Sequence, residues 1–167
     1  MKRILILIVS LFLLCSCNSA NSRTDLEEKY VNLVESLSEH TEFTTFSNHF
    51  TITTDISQIN DSSYRYFVIV DNPRVAMYGV EIVAVEKGIN YTNNMAANVG
   101  VLSETSYNLI PGQVRVDKGY VAGLTVSGVS ASSSPVIDVL VQWHSKDQNV
   151  VQEFFEFQIN IDEAENG

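Results

Sequence analysis

The spacing of apolar residues changes character twice along this chain. Residues 4–14 are apolar except for Ser10, a run too short to span a bilayer, which takes about 20 apolar residues. Residues 18–23 are small, polar and unpatterned, and their composition predicts a short flexible tether. From there the apolar positions recur every three to four residues. Leu26, Tyr30, Leu33, Val34 and Leu37 form one stripe, while Glu28, Asn32, Glu35 and Glu39 lie mostly off it. This spacing predicts an amphipathic helix over residues 24–41. Thr24-Asp25-Leu26-Glu27 has the form of a capping box, in which the threonine and glutamate side chains satisfy orphan backbone amides. Asp25, Glu27 and Glu28 then fall in the first turn, where the helix dipole favours negative charge. The stripe can face its own domain or a partner helix. The first is the expectation, because amphipathic helices ordinarily face their own core.

From Phe46 the period drops to two. Phe50, Ile52, Thr54 and Ile56 alternate with Thr51, Thr53 and Asp55, predicting a half-buried strand, and 58–63 reads as a polar turn. Residues 64–70 are a near-continuous apolar and aromatic run, as expected of a central strand, with Tyr64 or Tyr66 facing away from the core. Asp71-Asn72-Pro73-Arg74 is a turn signal, since Pro73 fixes φ and the Asp and Asn side chains bond locally to backbone. The strand predicted over 75–86 carries Tyr78, Val80, Ile82 and Ala84 on one face and can form a hairpin with its predecessor. Residues 87–98 are rich in asparagine and predict the longest loop. Short strands are expected at 99–102, 107–110 and 114–116, with a turn at Pro111-Gly112 and a clearer strand over 119–127. A serine-rich loop follows at 128–135. The last two strands have the cleanest alternation. Ile137, Val139, Val141 and Trp143 share one face over 136–144, and Val151, Phe155, Phe157 and Ile159 point inward over 150–161, with a hairpin turn at 146–149. Trp143 is expected in the core. Residues 162–167 form an acidic tail.

About seven strands separated by turns and preceded by one helix predict a mainly β fold: an antiparallel β-sandwich over 46–161, immunoglobulin-like in arrangement. The bridging cysteine pair of immunoglobulin domains is absent. A small, partly open β-barrel with the helix across one end is the alternative.

Charge and the N-terminal residues set the location. Lys2 and Arg3 precede the apolar run, and Leu14-Cys15-Ser16-Cys17 follows it. These are the parts of a secretory signal. With an aliphatic residue at Leu14, a small one at Ser16 and then Cys17, the segment resembles the bacterial lipoprotein signal. The resemblance implies cleavage of residues 1–16, lipidation of Cys17 and anchoring of residues 17–23 to a membrane on the extracytoplasmic side. The two acyl chains of a diacylglyceryl group give stable anchoring where one gives marginal binding. Cleavage would leave 151 of the 167 residues, enough for one domain. Cys17 would be the sole remaining cysteine, so the fold must rest on its core without a disulfide. The full chain has 10 basic and 20 acidic residues; loss of Lys2 and Arg3 leaves 8 against 20, or −12. That charge argues against nucleic acid as a partner.

Catalytic patterns are scarce. His40, His49 and His144 show no metal-ligand spacing, so no metal or cofactor is implied. Residues 123–130 superficially suggest a phosphate loop, but they lack its lysine and alternate as a strand does. Residues 130–134 hold no nucleophile elbow. Glu81, Glu86, Asp138, Glu153 and Glu156 lie on strands where a glycosidase-like carboxylate pair could arise, as on any acidic β-domain. Loop tyrosines among asparagines are compositionally closer to recognition surfaces. Residues 87–98 are therefore the expected binding loop, with Tyr91 as its anchor and Asn90, Asn93 and Asn94 as hydrogen-bonding partners. The expected function is a non-catalytic, lipid-anchored binding module for an envelope component. A structural subunit of an envelope assembly, using the helix stripe as its contact, is the second reading, and a small hydrolase the third.

Overall fold

The computed structural model describes residues 18–91 and 95–161. One helix, α1 (Asn18–Glu39), precedes seven strands: β1 (Thr51–Asn60), β2 (Ser63–Asp71), β3 (Tyr78–Glu86), β4 (Ala97–Val99), β5 (Gly123–Ser130), β6 (Val136–His144) and β7 (Val150–Gln158). They form two antiparallel sheets, ordered β1-β2-β5 and β4-β3-β6-β7. The chain is an antiparallel β-sandwich of immunoglobulin-like arrangement. Immunoglobulin constant domains place the first, second, fifth and fourth strands in one sheet; here the short fourth strand has crossed to pair with the third.

Alternation explains the inner core. Val68 and Val70 of β2, Leu124 and Val126 of β5, and Ile137, Val139, Val141 and Trp143 of β6 point between the sheets, with Phe155 of β7 beside Val139. Trp143 is 2% exposed, edge-on to Phe50 and His49. Tyr64 and Tyr66 share parity, and both turn inward, so neither faces away from the core. A Cβ at Gly128, the register partner of Tyr66, would collide with the tyrosine ring; glycine there makes room for it. Burial pushes the Tyr66 phenol well above its ordinary pKa.

β3 departs from simple alternation by being buried on both faces. Val80, Ile82 and Ala84 enter the inner core, while Val83 and Val85 join Leu140, Leu33 and Leu37 in a second core under α1. A strand covered on both sides reads as a continuous apolar run. The helix stripe thus packs on its own domain and makes a third layer. Tyr30 also ties α1 down, accepting a hydrogen bond from Ala96 N at 2.6 Å. α1 crosses the sheet obliquely, with Lys29 paired to Glu81 of β3 and His40 stacked on Phe154 of β7 at 3.6 Å. Helical backbone is described from Asn18 onward, so residues 18–23, expected as an unpatterned tether, are helical, and Thr24 lies inside the helix and not at its cap.

Several boundaries differ from expectation. β1 runs on to Asn60, leaving only residues 61–62 as the turn. β2 and β3 lie in different sheets, so their connection crosses the sandwich and is no hairpin. The longest connection is 100–122, between β4 and β5, and not 87–98. Within it the expected strands at 107–110 and 114–116 reduce to isolated bridges, such as Met77 with Leu109, and a 3-10 turn at Val116–Lys118. On the far flank of the larger sheet, Thr44 pairs with Phe155 of β7: its N–H donates to Phe154 O at 3.1 Å, and its carbonyl accepts from Glu156 N at 3.2 Å. The connection 72–77, the loop over 100–122 and the hairpin 145–149 all gather at one pole, here called the base, where β3, β5 and β7 begin.

Candidate functional site

Tyr91, the expected anchor of the 87–98 loop, is turned toward its own domain. The Tyr91 hydroxyl accepts a hydrogen bond from Glu86 N at 2.8 Å, and its ring packs with the core under α1. Desolvation, the largest influence, raises its pKa. A tyrosine spent on holding its own loop is not a free anchor. Asn90 is exposed beside it, and Asn93 and Asn94 lie outside the described residues, as do Cys17 and residues 1–16.

A polar cleft lies instead toward the base, between α1, the start of β3, residues 100–108 and the end of β6. It encloses about 360 Å³ and is lined by Lys29, Tyr78, Glu81, Ser103, Asn108 and His144, among others. Its shape begins at Gly79. With φ of 58°, this residue shifts the β3–β6 register between Tyr78 and Glu81. The bulge turns Tyr78 out of the inner face, where alternation placed it, and into the cleft. Asn108 holds the bulge, accepting a hydrogen bond from Gly79 N at 3.0 Å.

Glu81 is a buried carboxylate, 7% exposed, set within the apolar run of β3. It stays buried because its charge is met twice: Lys29 of α1 pairs with one oxygen, and Gln142 Nε2 donates to the other at 2.9 Å. Gln152 Nε2 donates in turn to Gln142 Oε1 at 2.7 Å. Glu81, Gln142 and Gln152 are register partners on three adjacent strands, so they form a polar ladder beneath the helix. Lys29 stands between this cleft and a second hollow of about 450 Å³ over the ladder. The arrangement offers hydroxyls, the amides of Asn108 and Gln148, the His144 imidazole and the Glu104 carboxylate around a neutralised ion pair, which suits hydrogen-bonded recognition of a polar group.

The other flagged side chains are dispersed. Glu86 accepts a hydrogen bond from Ser130 Oγ at 2.9 Å, and His49 Nδ1 lies 2.5 Å from Glu153 Oε1. Asp138 and Glu156 are cross-strand partners beside Lys87, on the helix-covered sheet and outside the cleft. Burial pushes Asp138 up to about 6; Lys87 opposes this, and Glu156 adds to it. Among the described residues no three His, Cys, Asp or Glu side chains converge as metal ligands do. No described helix is long and apolar enough to cross a membrane. The cleft escaped sequence reading because its lining comes from four separated segments. Its local signals were Glu81 inside an apolar run and Gly79 beside Tyr78. No protein-family model matches the chain, and no curated protein is significantly similar to it.

Proposed function

We propose that this protein is a lipid-anchored, extracytoplasmic binding module of a bacterial envelope, held by Cys17 and binding a polar ligand or partner segment in the cleft around Lys29 and Glu81. What supports the anchor is the signal-like run ending in Leu14-Cys15-Ser16-Cys17. What supports binding is the cleft: its ion pair is internally satisfied, and its remaining polar lining is hydroxyl, amide, imidazole and the Glu104 carboxylate. Leu33 and Leu37 of the helix stripe are buried against β3 and β6, which weighs against the stripe as the contact of a structural subunit.

The test uses the full-length protein in membranes with a photo-crosslinker at Ser103. Envelope material captured by wild type should be lost when Thr105→Trp fills the cleft, with the melting temperature unchanged. Equal capture by both proteins would remove the cleft from the proposal.

A further inference from the structure

Resting on the lipid-anchored reading, we infer that the base of the sandwich lies against the bilayer, with residues 111–118 as a second contact inserted into the lipid interface. The first contact is the anchor. Helical backbone is described from Asn18, the residue after Cys17. From Lys29 the helix runs back 11 residues, about 16 Å at 1.5 Å per residue, away from its crossing over β7 and out past residues 100–106 toward the base. Cys17 adjoins this helix in sequence, so the pole toward which the helix runs back is the one nearest the lipid.

The second contact is the tip of the long connection. All eight residues from Pro111 to Lys118 are exposed. Val114 is 58% and Val116 74% exposed, with Arg115 between them and Lys118 just beyond. The tip sits beside Asn72 and Pro73, beneath the β1-β2-β5 sheet. It is therefore across the base from α1, which covers the other sheet. Arg115 pairs with Asp117 at 3.4 Å, and exposed valines beside this pair and Lys118 suit the boundary between acyl chains and headgroups.

Charge does not set the orientation. Six of the eight cations beyond the signal, Arg23, Lys29, Arg74, Arg115, Lys118 and Lys146, lie toward the base, but so do the acids Asp25, Glu27, Glu28, Asp71, Glu81, Glu104, Asp117 and Asp147. The orientation rests on the direction of α1 and on the exposed tip.

The test labels single cysteines in the lipidated protein, since Cys17 would be consumed by lipid. Val116→Cys and, at the far pole, Ile59→Cys each carry an environment-sensitive fluorophore. The proteins are placed in vesicles of phosphatidylethanolamine and phosphatidylglycerol containing a lipid-borne quencher. The label at 116 should be quenched by lipid and be about threefold less accessible to aqueous iodide than the label at 59, as expected of a group at the headgroup boundary. A label at 116 that iodide reaches as freely as 59, in protein whose mass shows lipid on Cys17, overturns this inference alone. Shielding at 116 that rises with protein density and shows no lipid quenching means a second copy covers the tip, and also overturns it. Absence of lipid on Cys17 overturns the anchored reading and this inference together.

Discussion

Asp138 carries its charge against its surroundings. One carboxylate oxygen is buried with no hydrogen-bond partner among the described residues, and Glu156 stands opposite. An aspartate ordinarily releases its proton near 3.8; here the folded protein holds it to about 6. Between these values the folded state binds the extra proton, so stability rises as pH falls through 6, and the penalty is complete above it. Asp138→Asn should therefore melt about 3 °C above wild type at pH 7.5, with the gap closing near pH 4. Equal melting at both pH values would mean that Asp138 is well solvated. Trp143 makes the opposite case: Trp143→Ala should cost about 3–5 kcal/mol in denaturant unfolding. Its position was legible because Ile137, Val139 and Val141 fix its face by parity alone. Tyr78 was not, because a one-residue bulge at Gly79 reverses parity without altering the apolar pattern.

At the scale of elements, α1 is held by an apolar stripe and a polar clasp. Lys29→Met should destabilise the domain by about 3 kcal/mol, since it strands the Glu81 carboxylate in a buried site. Adding Glu81→Leu should recover most of that loss, because a buried ion pair is often replaceable by apolar residues of similar volume. Failure of the double variant to recover would show that Lys29 also supports the helix through packing of its stem. Crosslinking at Ser103 in the double variant should still be lost if the clasp serves recognition. The helix stripe was readable from periodicity, but its start was not. A capping-box sequence at Thr24 looks the same inside a helix as at its end, and only the backbone separates the two. The long 100–122 connection was misread for a related reason. Its short apolar clusters, Tyr107–Ile110 among them, have the composition of strands, yet they find single bridges instead of ladders.

For the whole molecule, sheet number and layering followed from turn spacing and parity, whereas the cleft depended on which distant segments meet. Cys17→Ala should abolish incorporation of labelled palmitate and release the protein from the membrane; label retained by that variant would defeat the assignment. Chelator should leave the melting temperature of wild type unchanged, since no ligand set converges among the described residues. Under the proposed anchoring, domains standing in one plane would meet flank to flank, and a flank with an unpaired strand would recruit its neighbour. At β7 the Phe154 carbonyl and the Glu156 amide are already taken by Thr44 of the same chain. That short strap acts as a selvedge. It finishes the sheet where crowding would otherwise unravel one molecule into the next, so dense lateral packing need not lead to fibres through this edge.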